Sequence, residues 1–250
     1  AGLLASGMDV FLLGPVPTPA VAMLTRSMRC DLGVMISASH NPMPDNGIKL
    51  FARGGGKLDD AIEAAIEKRM GEPWERPTGR AVGRIVNDEN AAAAYIEHLL
   101  SSVSTPLAGL KIVVDCANGA SSLVAPTVYE KAGATVVAIH HSPDGWNIND
   151  GCGSTHLEDL QAAVVREKAD FGIAHDGDSD RCLAVDGSGA VVDGDQIMTI
   201  LANGFKARGK LKDDTIVATV MSNLGFFHAM KNSGIKVITT AKRLLSSISC

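Results

Sequence analysis

The chain has 250 residues, 46% of them hydrophobic and 4% aromatic, enough to bury a sizeable core in about two domains. The 23 Lys and Arg against 28 Asp and Glu leave a net charge of -5 with no basic stripe, so nucleic acid is not an expected partner, and the short, interrupted apolar runs offer no membrane span. Five cysteines (Cys30, Cys116, Cys152, Cys182 and Cys250) follow no metal-binding spacing, and their odd number points to reduced thiols in a cytoplasmic protein rather than to a disulfide framework.

In chain order, "AGLLASG" reads as the end of a helix and "DVFLLG" as a strand, an opening in mid-unit that leads us to expect residues upstream. "TPAVAMLTRSM" reads as a helix with Thr18 as its N-cap and Pro19 at its first position. "LGVMIS" reads as a buried strand. Between Gly71 and Ser104, "GEPWERPTGRAVGR" reads as a surface segment or short antiparallel strands, and "DENAAAAYIEHLLSSVS" as a helix. A domain boundary is expected near Ser104 to Gly109. Beyond it come strand "LKIVVD", the turn "CANGASS", a helix around "LVAPTVYEKAG" and strand "TVVAIH". Helix "HLEDLQAAVVREKAD" and strand "FGIAHD" follow, and near the end strand "DTIVATV", helix "GFFHAMKNSG" and strand "KVIT". Two of these units share one plan, in which a strand, a small polar turn and a helix lead through Gly133 or Gly234 to a second strand. Alternation of this kind predicts repeated three-layer α/β modules with mixed, mainly parallel sheets. "KIVVD", "TVVAI" and "FGIAH" should lie in adjacent or near-adjacent parallel strands.

Two stretches carry more polar chemistry than turns require. In "AHDGDSDRCLAVD", Asp176, Asp178 and Asp180 alternate with small residues. Two unit charges about 4 Å apart repel by roughly 4 kcal/mol at an effective dielectric of 20, and a divalent cation removes that cost. Oxygen-only ligands suit Mg²⁺ or Ca²⁺, but an EF-hand is excluded because Arg181 and Gly187 fall where Gly and Glu are required. The plain alternative is a solvated Asp-Gly turn. Arg181 follows directly, either to receive a phosphate oxygen on its planar fork or to pair with the aspartates. The neighbouring "VDGDQ" lacks a third Asp and reads as a turn with a helix N-cap.

The second stretch, "GVMISASHNPMPDNGIKLF", ends a strand in Ser39, His40 and Lys49. A Ser-His-Asp hydrolase fits poorly, since adjacent residues on an extended chain point opposite ways and no G-x-S-x-G elbow is present. A hydroxyl that carries a phosphoryl group beside a metal and cations fits better. An N-cap or turn serine is the plain reading of Ser39 alone. His98, His140 and His141 read as structural or surface residues, and "DCANGASS" as a tight strand-to-helix turn.

"SASHNP", "DNGIK" and "DGDSDR" together resemble the α-D-phosphohexomutase superfamily, as do "GPVPTPA", "VVDCANGA", "NINDGCGST" and "VATVMSNLG". The resemblance runs to about Thr240 and is strongest to the branch that interconverts glucosamine 6-phosphate and glucosamine 1-phosphate, through a phosphoserine and a bisphosphorylated sugar, in UDP-N-acetylglucosamine biosynthesis. It implies that Ser39 is the phosphoserine and a fourth metal ligand, and that Asp176, Asp178 and Asp180 hold Mg²⁺. It implies further that Arg181 contacts the phosphoserine and that His40 and Lys49 transfer protons. The implied partner is a phosphorylated hexosamine; nothing in the sequence sets an oligomeric state. It also implies a first domain at 1–103 that lacks its upstream part, a second at 104–193 with the metal loop, and the start of a third at 194–250 with a divergent tail after Thr240. The family's sugar loop and distal phosphate-binding loop have no counterpart here, so the chain alone is expected to turn over little. The rival readings are the branch acting on glucose and mannose phosphates, and a non-catalytic domain that binds metal or phosphate.

Overall fold

A computed structural model describes residues 1–103 and 105–240; the divergent tail lies outside the described residues. The first elements are helix α1 (Gly2–Ala5), strand β1 (Val10–Leu12), helix α2 (Thr18–Ser27), strands β2 (Leu32–Ile36) and β3 (Ile48–Ala52), helix α3 (Asp60–Arg69), strand β4 (Ile85–Asn87) and helix α4 (Ala91–Ser102). Next come β5 (Lys111–Asp115), α5 (Val124–Lys131), β6 (Thr135–Ile139), α6 (Glu158–Glu167), β7 (Phe171–His175), β8 (Cys182–Asp186) and β9 (Val191–Val192). The last are α7 (Gly194–Ala207), β10 (Thr215–Thr219), α8 (Leu224–Asn232) and β11 (Lys236–Thr240).

The central sheet has the order β6-β5-β7-β8-β9. As the alternating pattern predicts, β5 runs parallel to both β6 and β7. β8 and β9 are antiparallel additions, which makes the sheet mixed. Ile112, Val113 and Val114 of β5 are fully buried, because the strand is covered on both faces. On one side Val113 packs with Leu160 and Val164 of α6, and on the other Ile112 and Val114 pack with Ala125 of α5. Each such aliphatic side chain contributes about 1.5–3 kcal/mol relative to exposure. The later unit repeats the plan, with β10 parallel to β11 and α8 between them.

The stretch 71–84 is the largely exposed surface segment that the sequence suggests, with no strand in it, and β4 just beyond it pairs in parallel with β1 across a long crossover. Two local expectations change. β2 is not a buried strand: it pairs antiparallel with β3, and the facing residues Ile36 and Ile48 are 69% and 71% exposed. Only one face of this ribbon, through Met35 and Phe51, joins the core of α2 and α4. Thr18 does not cap α2; Pro17 occupies the cap position, and the Thr18 hydroxyl is engaged elsewhere. The reading of "VDGDQ" holds, since Asp193 forms a capping box with Gln196 at the start of α7.

Candidate active site

Two loops meet at the C-terminal ends of β2 and β7. The β2–β3 loop carries Ser39 and His40, with Lys49 on β3 beside it; the tight β7–β8 turn carries Asp176, Asp178, Asp180 and Arg181. All seven residues singled out in the sequence come together, although more than 120 positions separate Lys49 from the acidic turn, as its hydrogen bond to Asp178 across 129 positions shows. Ser39 has φ +59, in the left-handed region. That conformation overturns the objection that Ser39 and His40 must point apart: Arg181 Nη2 donates to Ser39 Oγ at 2.7 Å and also contacts His40 Nδ1. The Ser37 hydroxyl accepts from Ser39 N at 2.8 Å and fixes the turn.

The carboxylates are held from several sides. Ser39 Oγ donates to Asp176 Oδ2 at 3.0 Å, and Arg181 Nε donates to the same oxygen at 3.0 Å. Lys49 Nζ donates to Asp178 Oδ2, and to Asp180 Oδ2 at 2.9 Å. Thr18 Oγ1 donates to Asp178 Oδ2 at 2.6 Å, and Thr18 N to the Asp178 carbonyl at 2.8 Å. Asp176 and Asp178 are buried, whereas Asp180 is exposed. Burial pulls the Lys49 ammonium down, but its hydrogen bonds to Asp178 and Asp180 and their charges outweigh this and hold it above the ordinary lysine value. Burial pushes Asp178 up, yet Lys49 and Thr18 overcome it and keep the carboxyl below its usual range.

The ligand atoms of Asp176, Asp178 and Asp180 lie within 4.8 Å of one another. Asp178 Oδ1 is buried with no hydrogen-bond partner. A buried anionic oxygen without a partner is costly, and a cation among the three carboxylates would satisfy it. The donor set is all oxygen, so the trio is a candidate site for a divalent metal ion. Asp115, His140 and Cys152 form a second cluster. There the Asp115 carboxylate already accepts from Ala117 N and Gly153 N and faces His140 Nδ1, a complete structural network. His98 and His141 are exposed, as expected for surface residues. "CANGASS" is a strand-to-helix turn with Ala117 and Asn118 at positive φ.

Spacing alone misses two polar residues of the site: Thr18 has the position of a helix cap, and Asn149 carries no chemical signal of its own; both lie in strings, "GPVPTPA" and "NINDGCGST", that share in the family resemblance.

The comparisons with known proteins agree with this geometry. Profiles described as phosphoglucomutase/phosphomannomutase, alpha/beta/alpha domains I, II and III match residues 1–76, 93–189 and 193–242. The phosphoglucosamine mutase of Saccharopolyspora erythraea is 61% identical over 241 residues, covering 96% of this chain and 54% of that protein. That of Rhodococcus erythropolis is 60% identical over 243 residues, with 96% and 55% covered. A phosphoglucomutase/phosphomannomutase family protein from Burkholderia thailandensis superposes with TM-score 0.81 at 25% identity, over 98% of this chain and 54% of that one. Aspergillus fumigatus N-acetylphosphoglucosamine mutase, solved with GlcNAc-6P and magnesium, has the same fold with TM-score 0.65 at 20% identity, over 89% and 59% of the two chains. Fold and site together define an α/β phosphohexomutase architecture. The chain belongs to the phosphoglucomutase/phosphomannomutase family, and it spans about half the length of the curated relatives it matches.

Proposed function

We propose that the protein serves the interconversion of glucosamine 6-phosphate and glucosamine 1-phosphate, with Ser39 as the phosphoryl carrier. The observation that supports this most is the convergence of Ser39 Oγ with Arg181 at 2.7 Å and Asp176 at 3.0 Å, beside a carboxylate trio with an unpartnered buried oxygen. A serine placed only to cap a turn has no need of a guanidinium and a metal-type acidic cluster. The roughly 60% identity to phosphoglucosamine mutases favours the amino sugar over glucose or mannose phosphates.

The metal we propose is Mg²⁺, held by Asp176, Asp178, Asp180 and an oxygen of the phosphorylated Ser39. When bound, it would offset phosphoryl charge during transfer. Arg181 orients the phosphoryl group with its fork of donors. In the forward step, the bond from phosphorus to Ser39 Oγ breaks and one to the sugar's free hydroxyl forms, giving the bisphosphorylated sugar. Lys49, kept as an ammonium, can give its proton to the departing Oγ, and the proton released by the sugar hydroxyl restores it. His40, against Arg181, is the second candidate for carrying that proton. The second half-reaction reverses these movements at the other end of the sugar. We further propose domain limits at 1–103, 104–193 and 194–250, and a cytoplasmic location; among the described residues no helix is long and apolar enough to cross a membrane.

The test is a coupled assay of glucosamine 1-phosphate formation by the protein expressed in its full natural reading frame, with Mg²⁺. The wild type is expected to turn over, and Ser39→Ala to lose activity by at least about a thousandfold, or roughly 4 kcal/mol of barrier. Ser39→Ala activity near wild type would overturn the reading.

A further inference from the structure

The phosphoserine loop sits on one αβ unit and the acidic turn on another, so something must hold their relative position. We propose that Asn149 is the positioning residue that does this; the proposal rests on the reading of Ser39 as the phosphoryl carrier. The Asn149 carboxamide Nδ2 donates to the carbonyl of Ser39 at 3.0 Å and to that of Asn41 at 2.9 Å. One amide therefore spans the backbone on both sides of His40, 110 and 108 positions away in sequence. Asn149 is 6% exposed and sits at φ +56, a conformation that asparagine tolerates better than most residues. Its own N–H donates to the Ala117 carbonyl at 3.0 Å, which anchors it to the β5–α5 turn.

The acidic turn closes against the same point. A Cβ on Gly177 would lie 2.6 Å from Asn149 Nδ2 and 2.7 Å from the Ser39 carbonyl. The Gly177 carbonyl accepts from Ala120 N at 2.8 Å, and a Cβ on Gly119 would approach that oxygen to 2.2 Å. Backbone from three loops thus meets with no room for side chains, and Asn149 supplies the two donors that the Ser39 loop requires. It touches no reacting atom. Aspartate at this position has nearly the same shape but no N–H pair, and would set carboxylate lone pairs against two carbonyls.

The proposal is tested in the protein expressed in its full natural reading frame, with Asn149→Ala and Asn149→Asp. The rate of phosphoryl transfer from glucose 1,6-bisphosphate to Ser39 is followed by rapid quench and peptide mass, alongside Mg²⁺ calorimetry and thermal unfolding. Both variants should transfer about a hundredfold more slowly, the cost of a misplacement of roughly 1 Å. Mg²⁺ affinity should stay within about twofold, because Lys49, Thr18 and Arg181 hold the carboxylates without Asn149; KM should move less than kcat. Wild-type transfer rates in either folded variant would overturn the proposal alone. Parallel loss of transfer, Mg²⁺ binding and thermal stability in both would overturn it too, as a purely structural role. A wild type that takes no phosphoryl group on Ser39 would overturn the functional reading, and this proposal with it.

Discussion

Asp178 concentrates the site's electrostatics in one side chain. It is 1% exposed, one of its oxygens is shared by Lys49 and Thr18, and the other has no partner. Asp178→Asn keeps the shape and removes the charge. We expect calorimetry to show at least about a tenfold loss of Mg²⁺ affinity in this variant, or 1.4 kcal/mol, and near-complete loss when Asp176 and Asp180 are changed to Asn as well. Equal affinity in wild type and the triple variant would exclude the carboxylates as ligands. The acidic trio was legible because closely alternating aspartates repel one another, which marks them as a candidate cation site. The convergence of Ser39 and His40 on Arg181 was not, because it accompanies φ +59 at Ser39, which no spacing rule reveals. Thr18 was misread for a related reason: a threonine before a helix is ordinarily a cap, and only the fold places Asp178 within 2.6 Å of its hydroxyl.

At the scale of elements, the α/β units stand on buried apolar strands and the helices that cover them. Leu160 of α6 is fully buried with Val113 and Val164. Leu160→Ala should cost about 2–5 kcal/mol, read from the shift of the urea unfolding midpoint at constant slope. A change below about 1 kcal/mol would mean that α6 is not a load on the central sheet. The parallel order of β5, β6 and β7 was legible because continuous apolar runs separated by amphipathic helices leave few alternatives. The β2–β3 ribbon was not, because an apolar run such as "LGVMIS" reads the same whether both faces are covered or one. The same limit applies to β4, a strand of 3 residues whose partner lies across a long crossover.

For the whole molecule, the proposed function separates phosphoryl storage from sugar handling. On that proposal, the residues brought together here store and transfer a phosphoryl group. The family resemblance places sugar recognition and the grip on the distal phosphate in loops without counterpart in these 250 residues. Fixing the distal phosphate is a matter of orientation, which can supply roughly 7–11 kcal/mol of a barrier. The 250-residue chain alone is therefore expected to bind Mg²⁺ but to form glucosamine 1-phosphate at less than about a tenth of the rate of a phosphoglucosamine mutase of full length, in the same coupled assay with phosphorylated protein. A rate within about tenfold, a difference of only about 1.4 kcal/mol, would show that orientation comes from the residues present. The proposed function rests on Ser39 carrying the phosphoryl group. It is tested most directly by phosphopeptide mapping of the protein isolated from cells in its full natural reading frame. The account predicts phosphate on Ser39; phosphate found only at other positions would contradict it.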